Sequence, residues 1–340
     1  MKYSYLGNSG LIVSTVCLGT MTFGQKDWGC DESASLEILN AYKERGGNFI
    51  DTADIYSETV SEQIIGKWLE NQNRDEFVIA TKCYYKTGND INSKGLSRKH
   101  IISGCEASLK RLKTDYVDLY QIHGPDYGTP LEETLSALDT LVQQGKVRYI
   151  GCSNLPAWMI TKSNYKSELK GYHKFISGQY LYNLLKRDVE IEVISAAKDA
   201  QMKLICWSPL SGGMLTGKYV NENKPPQNTR FELNKNVTDE KYQVWIQKSN
   251  QVISKVREIA ELQNLSSTII SLAWLLKNEI IASVITGARS SKQIIENCKA
   301  SDFIISDDDW NSLNEVSMIS YGYPNEWYKT NSKGWFENIV

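Results

Sequence analysis

Four side chains of this 340-residue chain could together deliver a proton. Asp51 closes the apolar run Phe49-Ile50, and Tyr56 arrives on the loop that follows. Lys82 closes Phe77-Val78-Ile79-Ala80-Thr81, and His123 ends Tyr116-Val117-Asp118-Leu119-Tyr120-Gln121-Ile122. A phenol with an ordinary pKa near ~10 is a weak proton donor at neutral pH. A nearby ammonium favours phenolate and lowers that value, while a carboxylate holds the ammonium in place. A histidine in the same mouth can orient a carbonyl oxygen and assist the transfer. The set fits protonation of a carbonyl oxygen while hydride, which must come from a cofactor, arrives at carbon. No serine or cysteine stands in a nucleophile–base motif, so acyl transfer is not suggested. Each residue also has an ordinary reading. Asp51 could cap a turn, Tyr56 could be a packing aromatic, Lys82 could snorkel to solvent, and His123 before Gly124-Pro125 could serve a turn.

The chemistry needs elements that bring these strand ends to one place. After a hairpin signal around Gly7-Asn8-Ser9-Gly10, the chain settles into a repeating beat. Short apolar strands are predicted near 16–18, 48–51, 77–82, 116–123, 147–154, 175–180, 203–208 and 281–286, with amphipathic helices between them. Eight strands alternating with helices imply parallel βα units, and eight is the number that closes a (β/α)8 TIM barrel of the α/β class. An open dinucleotide-binding sheet would carry GxGxxG after its first strand, and Gly19-Thr20-Met21-Thr22-Phe23-Gly24 is not that motif. The expectation is a single domain over 1–340, with an N-terminal β-hairpin, a long cofactor-covering loop at 208–240 and an extended C-terminal tail at 321–340. In such a barrel the strand ends Asp51, Lys82, His123, Ser153, Asn154, Gln179 and Ser208 converge on one mouth.

Bulk properties exclude several classes. A formal net charge of -2 gives no pull toward nucleic acid. No apolar run approaches the ~20 residues of a membrane helix, so membrane insertion is not expected. Seven cysteines without CxxC spacing fit a reducing cytoplasm, and three histidines make a histidine-rich metal site unexpected. The run Gly212-Gly213-Met214-Leu215-Thr216-Gly217-Lys218 satisfies GxxxxGK, but Tyr219 replaces the magnesium-binding Ser/Thr. Its glycines better suit backbone approach to a pyrophosphate. Arg289 and Lys292 flank Ser290-Ser291 at a predicted helix start, a favourable place for phosphate. Aromatics in the rim loops (Phe23, Trp28, Tyr84, Tyr85, Tyr127 and, from the tail, Tyr321, Tyr323, Trp327 and Tyr328) suit apolar or aromatic aldehydes and ketones, or simply pack the rim.

These residues carry a family resemblance. The chain resembles the aldo-keto reductase superfamily from Leu6-Gly7 and Leu18-Gly19-Thr20 to about Asn297. The matching motifs are Asp51-Thr52-Ala53-Asp54-Ile55-Tyr56, Thr81-Lys82, Asp115-Tyr116-Val117-Asp118-Leu119 with Gln121-Ile122-His123, Gly145-Lys146-Val147-Arg148-Tyr149-Ile150-Gly151-Cys152-Ser153-Asn154, Trp207-Ser208-Pro209-Leu210, and Ile285-Thr286-Gly287-Ala288-Arg289. The resemblance implies a (β/α)8 barrel that reduces a small-molecule carbonyl substrate with NADPH, yielding NADP+. It gives Tyr56 the role of general acid, Lys82 and Asp51 that of its tuning pair, and His123 that of substrate orientation. It places the nicotinamide carboxamide near Ser153, Asn154 and Gln179, with Trp207 stacking on the ring. Ser208, Leu210, Gly212 and Lys218 would line the pyrophosphate, and Arg289, Gln293, Glu296 and Asn297 the adenosine end. Gly19, Thr20, Met21, Asp51, Pro209, Arg230 and Gly287 are also assigned to the cofactor, and Phe23, Trp28, Tyr84, Tyr85, Tyr56 and His123 to the substrate. Many members carry a lysine where Gly287 stands, so the 2′-phosphate would lean on Arg289 and the serines.

Gly95-Leu96-Ser97-Arg98-Lys99-His100-Ile101 also resembles the potassium-channel β-subunit branch, which implies an alternative as a slow redox-sensing subunit docked to a partner. A lyase using Lys82 as a Schiff-base amine is disfavoured, because pairing with Asp51 keeps the amine protonated. Oligomeric state is not readable from the sequence, and a homo-oligomer stays open.

Overall fold

The computed structural model describes residues 1–219, 225, 227, 229–233 and 238–331. A hairpin of β1 (Tyr3–Tyr5) and β2 (Ile12–Ser14) precedes eight strands. These are β3 (Val16–Gly19), β4 (Phe49–Asp51), β5 (Val78–Cys83), β6 (Val117–Ile122), β7 (Val147–Ser153), β8 (Phe175–Leu181), β9 (Lys203–Trp207) and β10 (Ile281–Gly287). All eight pair in parallel in sequence order, and β10 pairs with both β9 and β3 to close the barrel. The helices are α1 (Glu32–Glu44), α2 (Val60–Leu69), α3 (Arg98–Leu112), α4 (Leu131–Gln143), α5 (Ala157–Lys170), α6 (Val193–Asp199), α7 (Arg230–Leu233), α8 (Asp239–Leu262), α9 (Ser267–Leu276), α10 (Ser291–Cys298), α11 (Asp307–Val316) and α12 (Asn325–Asn331). The predicted (β/α)8 architecture is therefore the observed one.

Strand alternation builds two separate apolar layers. Cys17, Phe49, Val78, Ala80, Leu119, Ile205, Ala282 and Ile285 fill the barrel interior, joined by Leu6 and Val13 from the hairpin. The intervening residues, such as Ile50, Ile79 and Tyr120, pack outward against the helices. The hairpin therefore forms the floor. Asn8 N donates to Gln201 O just before β9, and Gly7, at a φ of 63°, lies so close to Ile176 O at the start of β8 that a Cβ would sit 2.0 Å from it. With the floor closed, the inward residues at the other end of each strand form a mouth. Asp51 is in phase with Phe49, Lys82 with Val78 and Ala80, and Gln121 with Leu119.

Three segments differ from expectation. The helix expected between β8 and β9 is split into a 3-10 turn at Asp188–Glu190, across which Arg187 pairs with Glu190, and α6. The long segment after β9 contains a 3-10 helix, Ser211–Thr216, and the short α7; the rest of that 208–240 loop lies partly outside the described residues. The tail carries α12, and Tyr321 anchors it by donating its hydroxyl to Glu190 Oε2 at 2.9 Å; 332–340 lie outside the described residues. Among the described residues no single helix is long and apolar enough to cross a membrane.

Helix packing fixes the wall behind the mouth. Gly66 in α2 sits against the end of α3, where an added Cβ would fall 2.1 Å from Arg111 O. Alanine favours an isolated helix over glycine, but here the obstacle is backbone. Gly66→Ala is expected to destabilise the fold by about 2 kcal/mol, typical of overpacking, measured as a lower urea midpoint with an unchanged slope.

Candidate active site

The site grows from the ends of β4, β5 and β6. Lys82 is fully buried, and its Nζ donates to Asp51 Oδ2 at 2.6 Å, to Thr52 O at 2.8 Å and to the Tyr56 hydroxyl at 3.3 Å. All three donors of the ammonium are thus committed. Asp51 is held from its other side, where Gln179 Nε2 donates to Oδ1 at 2.7 Å and Gln121 Nε2 at 3.3 Å. Gln121 Oε1 in turn accepts from Gln179 Nε2 at 3.3 Å. Gly151, paired with Gln121 across β6 and β7, leaves the room for this amide, since a Cβ there would meet Gln121 Cγ at 3.2 Å. Gln121 was not among the expected site residues. Its signal was present in the strand period: two residues after Leu119 and two before His123, it has to face inward.

Burial pulls the Lys82 pKa down, but Asp51 and Tyr56 together hold it above its ordinary value. The Tyr56 phenol is raised: burial outweighs the lowering by the Lys82 ammonium, and the Asp51 charge adds to the rise. This reverses the direction expected from the sequence, where only the ammonium was weighed. The physical consequence is a phenol that keeps its proton at neutral pH while pointing at a cation that can accept hydrogen-bond realignment once the proton leaves. His123 lies edge-on to Tyr56, ring centres 5.9 Å apart, with Tyr85 edge-on to its other side at 5.0 Å. Burial first, and then the Lys82 charge, lower its pKa to about 2, so it is a neutral imidazole across the working range. Its Nδ1 is buried and has no hydrogen-bond partner among the described residues.

A second group assembles beside the first on β7, β8 and β9. Ser153 Oγ donates to Gln179 O at 3.0 Å, and Asn154 Nδ2 donates to Ser153 Oγ at 2.9 Å and to His123 O at 3.3 Å. Trp207 Nε1 donates to Asn154 Oδ1 at 3.1 Å. Asn154 and Ser208 both adopt the left-handed region, with φ of 58° and 53°, a conformation uncommon outside glycine that collects at binding sites. The buried Asn183 holds the second of these by donating to Ser208 O at 2.9 Å. Thr20 closes the near edge: its N–H and hydroxyl both donate to Asp51 O at 3.0 Å.

A third group lies farther along the rim. The Lys218 side chain runs over Gly213, where a Cβ would come 2.9 Å from its Cε and Nζ. Partial desolvation, followed by the charge of Arg289, lowers the Lys218 pKa. Two cations thus converge near the start of α10, whose N-cap Ser290 makes no side-chain cap bond. Positive groups that repel one another beside a helix N-terminus suit a bound anion. Gln293 Oε1 accepts from Arg289 N at 2.8 Å, Asn297 is buried, and Glu296 is engaged by Ser266 Oγ at 2.7 Å and by Lys299. Gly287 is exposed beside Gly19 and Thr22. Leu210 and Met21 are half-buried, and Pro209 is buried. Gly212, with a φ of 66°, lies under the Phe231 ring. The side chain of Arg230 lies outside the described residues.

The expected substrate lining divides. Tyr85 is exposed, and Tyr84 is half-buried and edge-on to it at 5.1 Å, so these two rim the mouth next to His123. Trp28 is half-buried on the loop after β3. Phe23 differs: it is wholly buried in the outer packing layer, where its carbonyl accepts from Ser57 Oγ at 2.6 Å. A side chain with no exposed surface supports the Tyr56 loop and does not line an open mouth.

Comparison with known proteins is consistent with this geometry. The family model described as Aldo/keto reductase family matches residues 15–318. The chain is 35% identical to a Bacillus subtilis protein named uncharacterized oxidoreductase YrpG, covering 93% of this chain and 96% of the relative. It is 35% identical to versiconal hemiacetal acetate reductase of Aspergillus parasiticus, covering 82% and 86%. A probable voltage-gated potassium channel subunit beta of Arabidopsis thaliana is 37% identical, with 89% and 92% covered.

Proposed function

The chain belongs to the aldo/keto reductase family, and from that membership we propose that it is an NADPH-dependent reductase of aldehydes or ketones with Tyr56 as the proton donor. The family and its oxidoreductase-named relatives make it a carbonyl-reducing oxidoreductase. The observation that carries the finer reading is the buried Asp51–Lys82–Tyr56 chain next to a neutral His123. NADPH, when bound, supplies the hydride. The donor set fits such a dinucleotide: amide and hydroxyl groups of Ser153, Asn154 and Gln179 for a carboxamide, Trp207 for a flat ring, and the Lys218–Arg289 pair with Ser290 for phosphate. On this reading His123 and the Tyr56 hydroxyl orient the carbonyl oxygen, Tyr56 gives it the proton, and Lys82 stabilises the phenolate left behind. Asp51 fixes Lys82, with Gln121 and Gln179 fixing Asp51. Tyr84 and Tyr85 favour an aromatic or apolar carbonyl compound.

The direct test is a screen of carbonyl compounds, beginning with a nitrobenzaldehyde, for loss of reduced-nicotinamide absorbance. Turnover supports the reading, and no consumption with any carbonyl compound contradicts it. Cofactor choice has its own test. Arg289→Ala is expected to weaken NADPH at least about tenfold and NADH much less, the loss of one charge-assisted contact to phosphate, read by fluorescence titration. The potassium-channel-subunit relative supports a second reading, a slow-turnover NADP(H)-binding sensor that docks to a protein partner. Slow turnover together with tight binding to a channel segment would favour it.

A further inference from the structure

Asp54 sits midway along the loop that carries Tyr56, and nothing in the chemistry above uses it. It is 1% exposed, and neither carboxyl oxygen has a hydrogen-bond partner among the described residues. The Ile55 N–H leans toward the carboxyl without reaching hydrogen-bonding geometry. A buried carboxylate without a partner is strongly disfavoured, so such a group keeps its proton. Its surroundings point the same way. Glu62 of α2 is wholly buried and already paired, accepting from Arg111 Nε of α3 at 2.6 Å and from Thr81 Oγ1 of β5 at 2.5 Å. The one guanidinium in the slot is therefore spent on Glu62. The other titratable groups that face Asp54 are Lys82 and Cys83 on β5 and Tyr120 on β6, and the Lys82 ammonium is committed to Asp51, Thr52 and Tyr56.

The backbone around Asp54 is under constraint. Ser57, Glu58 and Thr59 are three successive non-glycine residues with φ of 49°, 54° and 79°. Such a run persists only where its surroundings hold it. The holds are local: Ser57 Oγ donates to Phe23 O, Tyr56 N to Ala53 O and Glu58 N to Ile55 O at 3.2 Å, Val60 N to Ser57 O at 3.1 Å, Ser61 N to Tyr56 O at 3.4 Å, and Asp54 N to Lys82 O at 3.2 Å. The last ties this loop directly to the residue whose ammonium meets the Tyr56 hydroxyl.

We propose that Asp54 is a positioning residue, a carboxylic acid kept neutral in its buried slot so that the constrained loop holds the Tyr56 hydroxyl against Lys82. The proposal rests on Tyr56 being the proton donor. Ionisation would set a second carboxylate beside Glu62 without a partner, and the loop would have to open to hydrate it. Opening would carry Tyr56 away from Lys82. Burial, and then the Glu62 charge, place this titration at about 8.

Two measurements test it. In the first, kcat for a reducible aldehyde is followed from pH 6 to pH 10 in wild type and Asp54→Asn. Wild type is expected to lose about tenfold between pH 7 and pH 9, the loss one unit past a midpoint implies. Asp54→Asn, which carries no charge at any pH, should show no such loss over that range. An identical alkaline loss in both proteins overturns the proposal. The second does not depend on turnover. In the folded state the acid holds its proton from pH 4 to about 8, whereas the unfolded chain releases it, so stability falls across that window and levels above it. The thermal midpoint of Asp54→Asn should therefore rise progressively above that of wild type from pH 4 to pH 8. A constant difference overturns the neutral acid even if no substrate is ever found, whereas a widening difference without aldehyde reduction supports it and faults only the assigned activity. If Asn is not tolerated, Asp54→Ser gives the same comparison.

Discussion

Tyr56→Phe is expected to lower kcat by about a thousandfold, within the range a positioned general acid supplies, and to leave NADPH affinity within a factor of about two. The phenyl ring keeps the shape of the site and the edge contact with His123. Only the hydroxyl that meets Lys82 at 3.3 Å is removed. Lys82 retains Asp51 and Thr52 as acceptors, so the ammonium is not left bare. Stability should therefore change little, and the loss is one of chemistry. Steady-state turnover and a fluorescence titration of NADPH separate the two quantities. Turnover within tenfold of wild type would remove Tyr56 from the role of proton donor.

Lys82→Met should do more damage, in two currencies. It removes the cation that stabilises phenolate, so turnover falls at least as far as in Tyr56→Phe. It also strands Asp51, a buried carboxylate 1% exposed, whose remaining partners are the amides of Gln121 and Gln179. Breaking a buried ion pair from one side typically costs about 3–5 kcal/mol. Both partners are fully buried, so solvent screening gives little relief. The double change Asp51→Asn with Lys82→Met removes the stranded charge and should recover most of the stability and none of the turnover. Urea denaturation of the two variants reads the first effect, and single-turnover reduction reads the second. Equal stability of the single and double variants would contradict the unpaired-charge account.

Much of this arrangement was legible because strand alternation and strand count are robust signals. The period of two in Phe49-Ile50-Asp51 and in Val78 to Lys82 places Asp51 and Lys82 inward at one end of the barrel, where they meet at 2.6 Å. The same period placed Gln121 inward too, but a neutral amide without unusual spacing draws no notice until its partner is known. Phe23 was assigned to the substrate because it is aromatic and follows a strand; sequence does not reveal that its loop folds back and buries it. The direction of the Tyr56 shift was missed for a related reason. The charge of Lys82 is visible in sequence, whereas the degree of burial that outweighs it is a property of the packed site. The anchoring of the tail through Tyr321 and Glu190 joins residues far apart in the chain, with no local pattern to announce it.

In the proposed reaction hydride moves from a reduced nicotinamide to a carbonyl carbon while Tyr56 protonates the oxygen. A single-turnover reduction of a nitrobenzaldehyde, using NADPH deuterated at the transferring position, tests it most directly. The wild-type protein is expected to place one deuterium in the alcohol for each NADPH consumed, and Tyr56→Phe loaded with the same cofactor to form that alcohol about a thousandfold more slowly. An alcohol free of deuterium, or deuterated alcohol formed by Tyr56→Phe at the wild-type rate, would contradict it.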